Sequence, residues 1–108
     1  MSGKSDLIII AKAKARPGRE RDLERALREV ASPTRAQPGC VSFTILRAAQ
    51  DPAVMIGFER WGSNEAHDRH LQSAHVRKFL SSVADVLAEP PDIVAYEALD
   101  EEPAAGGR

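Results

Sequence analysis

From Leu7 to Ala15 the chain alternates, with Ile8, Ile10, Lys12 and Lys14 on one side and Leu7, Ile9, Ala11, Ala13 and Ala15 on the other. A period of two predicts a strand, and small residues line one of its faces. Pro17-Gly18 breaks that strand, and Leu23, Ala26, Leu27, Val30 and Ala31 then recur at helical spacing among Arg and Glu. The spacing predicts an amphipathic helix over residues 19–35, with Pro33 in its last turn and Pro38-Gly39 closing the unit. Val41, Phe43 and Ile45 alternate with Ser42, Thr44 and Leu46 as a second strand, which Gln50-Asp51-Pro52 turns into a third, Val54–Trp61. Ser63 is placed to cap a long helical region that carries Val76, Phe79, Leu80, Val83 and Leu87 on one stripe as far as Pro90-Pro91. A fourth strand is predicted over 93–99.

The order strand, helix, strand, strand, helix, strand is the split βαβ arrangement of a ferredoxin-like α+β fold with an antiparallel sheet. Both helices must cover one sheet face to bury their stripes, which leaves the face bearing Ile8 and Ile10 open. A second copy packed face to face is the simplest closed solution, so a homodimer is expected.

At 108 residues the chain has room for one domain, expected over 7–99, with residues 1–6 flexible and the acidic stretch 100–108 disordered. Fifteen basic against sixteen acidic residues leave a net charge of -1, which argues against nucleic acid or an anionic membrane as partner. No apolar run reaches the roughly 20 residues of a membrane span, and Met1–Asp6 lacks a signal-peptide core, so a cytoplasmic location is expected. The single Cys40 excludes an internal disulfide and reads as a small, reduced, partly buried residue.

Candidate chemistry gathers in Phe58–His75, eighteen residues that hold the only Trp and all three His. Histidine titrates nearest to neutral pH, so His67, His70 and His75 are the candidate catalytic residues. His67 and His70 are three apart and share a helix face, whereas His75 lies about 140° further round an unbroken helix. A break near Gln72-Ser73-Ala74 would bring it back. By pattern His67 reads as partly exposed beside Asp68 and Arg69, His75 as a helix-start or surface residue, and His70 as the imidazole facing the sheet. Two His at this spacing can ligate a metal, but no clustered Cys or carboxylate completes a site, so no metal is expected. Trp61 shares a strand face with Met55, Gly57 and Glu59, where it seals the end of the core. Gly57 leaves a void beside it, suited to a planar ligand, and Glu59 on that face needs an Arg, a His or a substrate group as partner.

Taken together, Arg16-Pro17-Gly18, Gln37-Pro38-Gly39-Cys40-Val41-Ser42-Phe43, Phe58-Glu59-Arg60-Trp61 and His70-Leu71-Gln72-Ser73-Ala74-His75 resemble the antibiotic biosynthesis monooxygenase family, from about Leu7 to Leu99. The resemblance implies a dimeric α/β barrel of ferredoxin-like protomers. It also offers several activities, including oxygenation of quinols and aromatic polyketides without metal or flavin, haem degradation, and isomerisation of a phosphorylated sugar. The haem-degrading triad of Asn, Trp and His would fall near Ala11, His70 and Leu80, so all three positions depart and haem is not expected. The polyketide-oxygenating set keeps only Trp61, with Gly57, His67 and Ser81 at the other positions. Quinol-oxygenating members share the His-Leu-Gln-x-x-His pattern of His70–His75.

The expectation is therefore a cofactor-independent monooxygenase acting on a small aromatic substrate and O2. Triplet oxygen needs a substrate able to give up one electron, such as a deprotonated phenol or quinol, so the protein must supply a base. His70 is expected to take the proton and His67 or His75 to orient the second oxygen. Phe43, Met55, Phe79 and Trp61 would form walls around the substrate, with Glu59 beside them. Two other classes stay open, a proton-transfer enzyme on a small carbonyl compound and a non-catalytic dimeric binding or stress protein.

Overall fold

A computed structural model describes residues 6–101. Along the chain run β1 (Leu7–Lys14), α1 (Glu20–Arg35), β2 (Cys40–Arg47), β3 (Val54–Trp61), α2 (Asn64–Leu71), α3 (Ala74–Ser82) and β4 (Asp92–Tyr96). The strands form one sheet in the order β2-β3-β1-β4 with every neighbouring pair antiparallel. That is the ferredoxin-like arrangement read from the strand and helix order. The flexible start and disordered tail expected from composition fall, beyond Asp6 and Glu101, outside the described residues. Within them, the Arg60 guanidinium pairs with both Asp6 and Glu101.

The alternation of β1 translates directly into two faces. Ile9, Ala13 and Ala15 are buried beneath the helices, and on β3 so are Met55, Gly57, Glu59 and Trp61. In α1 the stripe Leu23, Ala26, Leu27, Val30 and Ala31 packs down on them. Acidic Glu20 and Asp22 in the first turn and Arg35 in the last complement the helix dipole. The other sheet face carries half-buried Ile8, Ile10, Ile56, Phe58 and Val94, aligned through the strand register.

Three expectations need correction. The long second helix is two helices, because Ser73 interrupts it: its Oγ donates to the His70 carbonyl at 2.7 Å and accepts from the Val76 N–H at 3.3 Å. A serine that serves both ends stops one helix and caps the next. Second, the even alternation expected of β2 fails at its start, where Val41 is 54% exposed while Phe43 is buried. A bulge between Cys40 and Ser42 shifts the register, so half-buried Cys40 takes the inward place against Trp61 and Ile9. Third, β4 runs over Asp92–Tyr96 and stops short of Leu99, which is 94% exposed.

Gly39 positions the site. Its φ of +89° lies in the left-handed region, and a Cβ there would stand 2.4 Å from the Ala66 Cβ. Only glycine allows this loop to lie against α2, and the Gly39 carbonyl accepts from the Gly62 N–H at 2.8 Å. The segment after α1 is thereby fixed beside the start of α2.

Candidate active site

Between sheet and helices lies a cavity of about 300 Å³. Its floor is the helix-side face of β1 and β3, where Ala11, Ala13 and Gly57 leave space that larger side chains would fill. Its walls include Phe43, Met55, Val76, Phe79 and Ile93, and the polar groups within are Glu59, His67 and His70, with Lys12 also on its lining. Leu80, expected within the buried stripe, is 44% exposed and lines the cavity as well.

The three imidazoles converge, but in different ways. His70 is buried, its ring tilted by 36° against that of Trp61 at 4.7 Å between centroids, with His67 at 6.0 Å and His75 at 5.8 Å from it. His67 is also buried, which corrects the surface reading: in the helical phase of α2 it turns inward with Ala66 and His70, while Asp68 and Arg69 stay outside. His75 is brought back by the helix break at Ser73, though it does not line the cavity. The Gln37 side-chain carbonyl accepts from His70 Nδ1 at 2.7 Å and from His75 Nε2 at 2.9 Å. Gln37 therefore fixes both rings, and His70 Nε2 is left as the free lone pair. Since no fully buried side-chain nitrogen or oxygen among the described residues lacks a partner, that lone pair is reached from the cavity.

Burial, then the neighbouring His67 and His75, push the His70 pKa down to about 4. Burial also lowers His67, partly offset by Asp68, and lowers His75. At neutral pH the cluster is uncharged. Glu59 is 4% exposed, and burial raises its pKa to about 7 against the opposing hydrogen bond from Trp61. The partner expected for it was an Arg, a His or a substrate; the structure supplies the Trp61 indole, whose Nε1–H donates to Glu59 Oε1 at 2.8 Å. Trp61 is fully buried and backs the site from beneath Glu59 and His70, outside the cavity lining proper. Cys40 is raised by burial and by the Glu59 carboxylate, as befits an inert thiol. Among the described residues no group of three or more His, Cys, Asp or Glu comes together as a metal site.

Pattern reading overlooked Gln37 as a member of the site. The available signal was its place before Pro38-Gly39, a turn that delivers a polar side chain to the end of the sheet where Trp61 and α2 meet.

An apolar cavity with uncharged imidazoles and one carboxyl, set between an antiparallel ferredoxin-like sheet and its helices, defines a small-molecule-handling α+β domain. The chain belongs to the antibiotic biosynthesis monooxygenase family, whose sequence profile it matches over residues 6–81. It is 32% identical over 97 residues to "Putative monooxygenase Rv0793" of Mycobacterium tuberculosis, covering 90% of this chain and 95% of that one. The solved structure of Rv0793 superimposes with a TM-score of 0.84 at 30% identity, covering 92% of this chain and 100% of the other. PA3566 from Pseudomonas aeruginosa superimposes with a TM-score of 0.84 at 27% identity, covering 93% and 100%. No helix among the described residues is long and apolar enough to cross a membrane.

Proposed function

We propose that this protein is a cofactor-independent monooxygenase that oxidises a small phenolic, quinol or polyketide-like aromatic molecule with O2. The observation that carries the reading is the apolar cavity of about 300 Å³ that holds uncharged imidazoles and a single carboxyl, with Lys12 also on its lining. Its size is at the lower end for ligand sites and suits a compact fused ring. A substrate hydroxyl donates to His70 Nε2, which Gln37 holds in the accepting tautomer, and the ring gives up a proton within the cavity to form the anion. One electron passes from the anion to O2, the radical pair combines at a ring carbon, and the hydroperoxide loses water. One oxygen atom stays as the new carbonyl of a quinone; the other leaves as water with the hydroxyl proton and the ring C–H proton. His67 lies on the same wall to orient the second oxygen, with Phe43, Met55 and Phe79 against the ring.

Oxygen consumption with a panel of naphthols and hydroquinones tests this directly. Turnover is expected for the unmodified protein, and His70→Gln should lower it, because the substrate hydroxyl loses the imidazole acceptor that orients it. No enzyme-dependent oxygen uptake across the panel would overturn the oxygenase reading, and ligand-induced thermal stabilisation without turnover would favour a binding protein.

We also propose a homodimer closed through the open sheet face. Ile8, Ile10, Ile56, Phe58 and Val94 form a contiguous apolar surface there that a second copy would remove from water.

A further inference from the structure

Glu59 is the only carboxyl on the cavity lining, and among the described residues it forms no ion pair. Its Oε1 is held by the Trp61 indole at 2.8 Å. Its Oε2 accepts no hydrogen bond from the described residues and lies over Gly57, where a Cβ would stand 3.2 Å from it and 3.4 Å from Cε1 of Phe43. Because no fully buried side-chain oxygen among the described residues lacks a partner, Oε2 is open to the cavity. A carboxylate buried in an apolar wall with one oxygen anchored and the other free is costly unless a donor meets it.

We propose that Glu59 is a catalytic acid–base residue, whose Oε2 receives the hydrogen bond and then the proton of a hydroxyl on an uncharged aromatic ring seated over Gly57. This assignment rests on the oxygenase reading above and gives His70 the second hydroxyl of a quinol, as hydrogen-bond acceptor. Charge conservation favours the carboxylate. Proton transfer from a phenol to Glu59 replaces one buried anion by another, whereas transfer to His70 creates two charges from neutral groups in a dry site. The affinities agree: a phenol near 10 gives its proton to a group near 7 against a factor of about 10³, and to a group near 4 against about 10⁶. After O2 has added, the Glu59 carboxylic acid returns the proton to the peroxide anion and becomes a carboxylate again, so the group is regenerated as water leaves.

The same arrangement selects the substrate class. Among the described residues, the titratable groups that share the lining with Glu59 are His67 and His70 from α2, with Cys40 of β2 close enough to feel its charge, while α1, α3 and β4 contribute apolar side chains and Lys12 of β1 is the sole cation. Ligands with a hydroxyl to donate are matched, and carboxylated or phosphorylated rings are repelled.

Trp61 is the only tryptophan, and its N–H bonds Glu59, so its fluorescence reports that carboxyl. Emission should titrate with a midpoint near 7 in the unmodified protein and lose that transition in Glu59→Gln, which keeps an acceptor for the indole. 1-Naphthol should bind at least tenfold more tightly than 1-naphthoate, and Glu59→Gln should erase the difference. Gly57→Ala, which sets a methyl against Oε2, should weaken naphthol binding at least tenfold while retaining the fluorescence titration, and it serves if the Gln variant fails to fold. In turnover, Glu59→Gln should lose roughly 10²-fold and the rise in rate through pH 7, and His70→Gln should keep that rise. Equal binding of naphthol and naphthoate by the unmodified protein, or an unchanged pH profile in Glu59→Gln, overturns the assignment. Failure of oxygen uptake alone, with the discrimination and titration intact, overturns the oxygenase chemistry and leaves the ligand class standing.

Discussion

Glu59→Gln should stabilise the protein above neutral pH and hardly change it in mild acid. Burial raises the folded pKa of this carboxyl from 4.5 to about 7, so the folded state holds a proton that the unfolded chain has already released. A raised folded pKa contributes stability that is fully present below 4.5 and is lost as the pH rises through about 7. The interval of about 2.5 pH units, at about 1.4 kcal/mol each, amounts to about 3 kcal/mol. Glu59 is 4% exposed, so solvent screening takes little from that figure. His70 acts in the opposite sense: its pKa falls from 6.5 to about 4, so its contribution is present above 6.5 and is lost as the pH drops through 4. Between pH 4.5 and 6.5 the Glu59 slope opposes that of His70 and those of His67 and His75, whose values burial also lowers, so the unmodified protein should gain little stability there. In Glu59→Gln the histidine slopes are unopposed, so stability climbs more steeply through that interval and then levels. Urea denaturation followed by circular dichroism, in steps from pH 4 to 8, measures both curves. They should nearly coincide at the acid end and diverge to about 3 kcal/mol at pH 8, roughly 10 °C or more in midpoint temperature for a domain of this size. Parallel curves between pH 6 and 8 would refute the buried, cation-free carboxyl on which the argument depends.

Trp61→Ala should cost about 3–5 kcal/mol in chemical denaturation, because the indole is fully buried under Glu59 and His70; a loss below 1 kcal/mol would contradict its sealing role. Gly39→Ala should destabilise clearly more than Gly18→Ala: both have positive φ, but a Cβ at Gly39 meets Ala66 while one at Gly18 meets nothing within 4 Å, leaving only the backbone cost of about 1–2 kcal/mol. Equal thermal shifts for the two would show that the Gly39 loop does not lie against α2. Ile10→Asp should convert a dimer to a folded monomer in sedimentation velocity, and a monomer already present in the unmodified protein at micromolar concentration would refute closure through the open face.

Pattern alone specified the ferredoxin-like order, because alternation in β1 and β3 and the 3.6 period of α1 are enforced by which residues leave water, and these elements are decided locally. Ser63 was legible as a cap for the same reason, and Met55, Gly57, Glu59 and Trp61 were assigned to one face by period two and are all buried. Small residues on β1 and Gly57 on β3 signalled a void, and the cavity lies over them.

Only the fold decided the chemistry of that void. Val41 falls out of the alternation with Phe43 and Ile45 because a bulge is a register event between two strands, and one strand's pattern contains no record of its partner. Gln37 joins His70 and His75 across separations of 33 and 38 residues, a juxtaposition made by the Gly39 loop lying on α2 and by Ser73 breaking the helix. Glu59 appeared in the sequence as a carboxyl in need of an Arg, a His or a substrate group; the tertiary structure gave it an indole and an open oxygen. The reason is general to buried ionisable groups. Their charge state depends on the dielectric and partners supplied by every packed element at once, whereas hydrophobic periodicity needs only near neighbours in the chain.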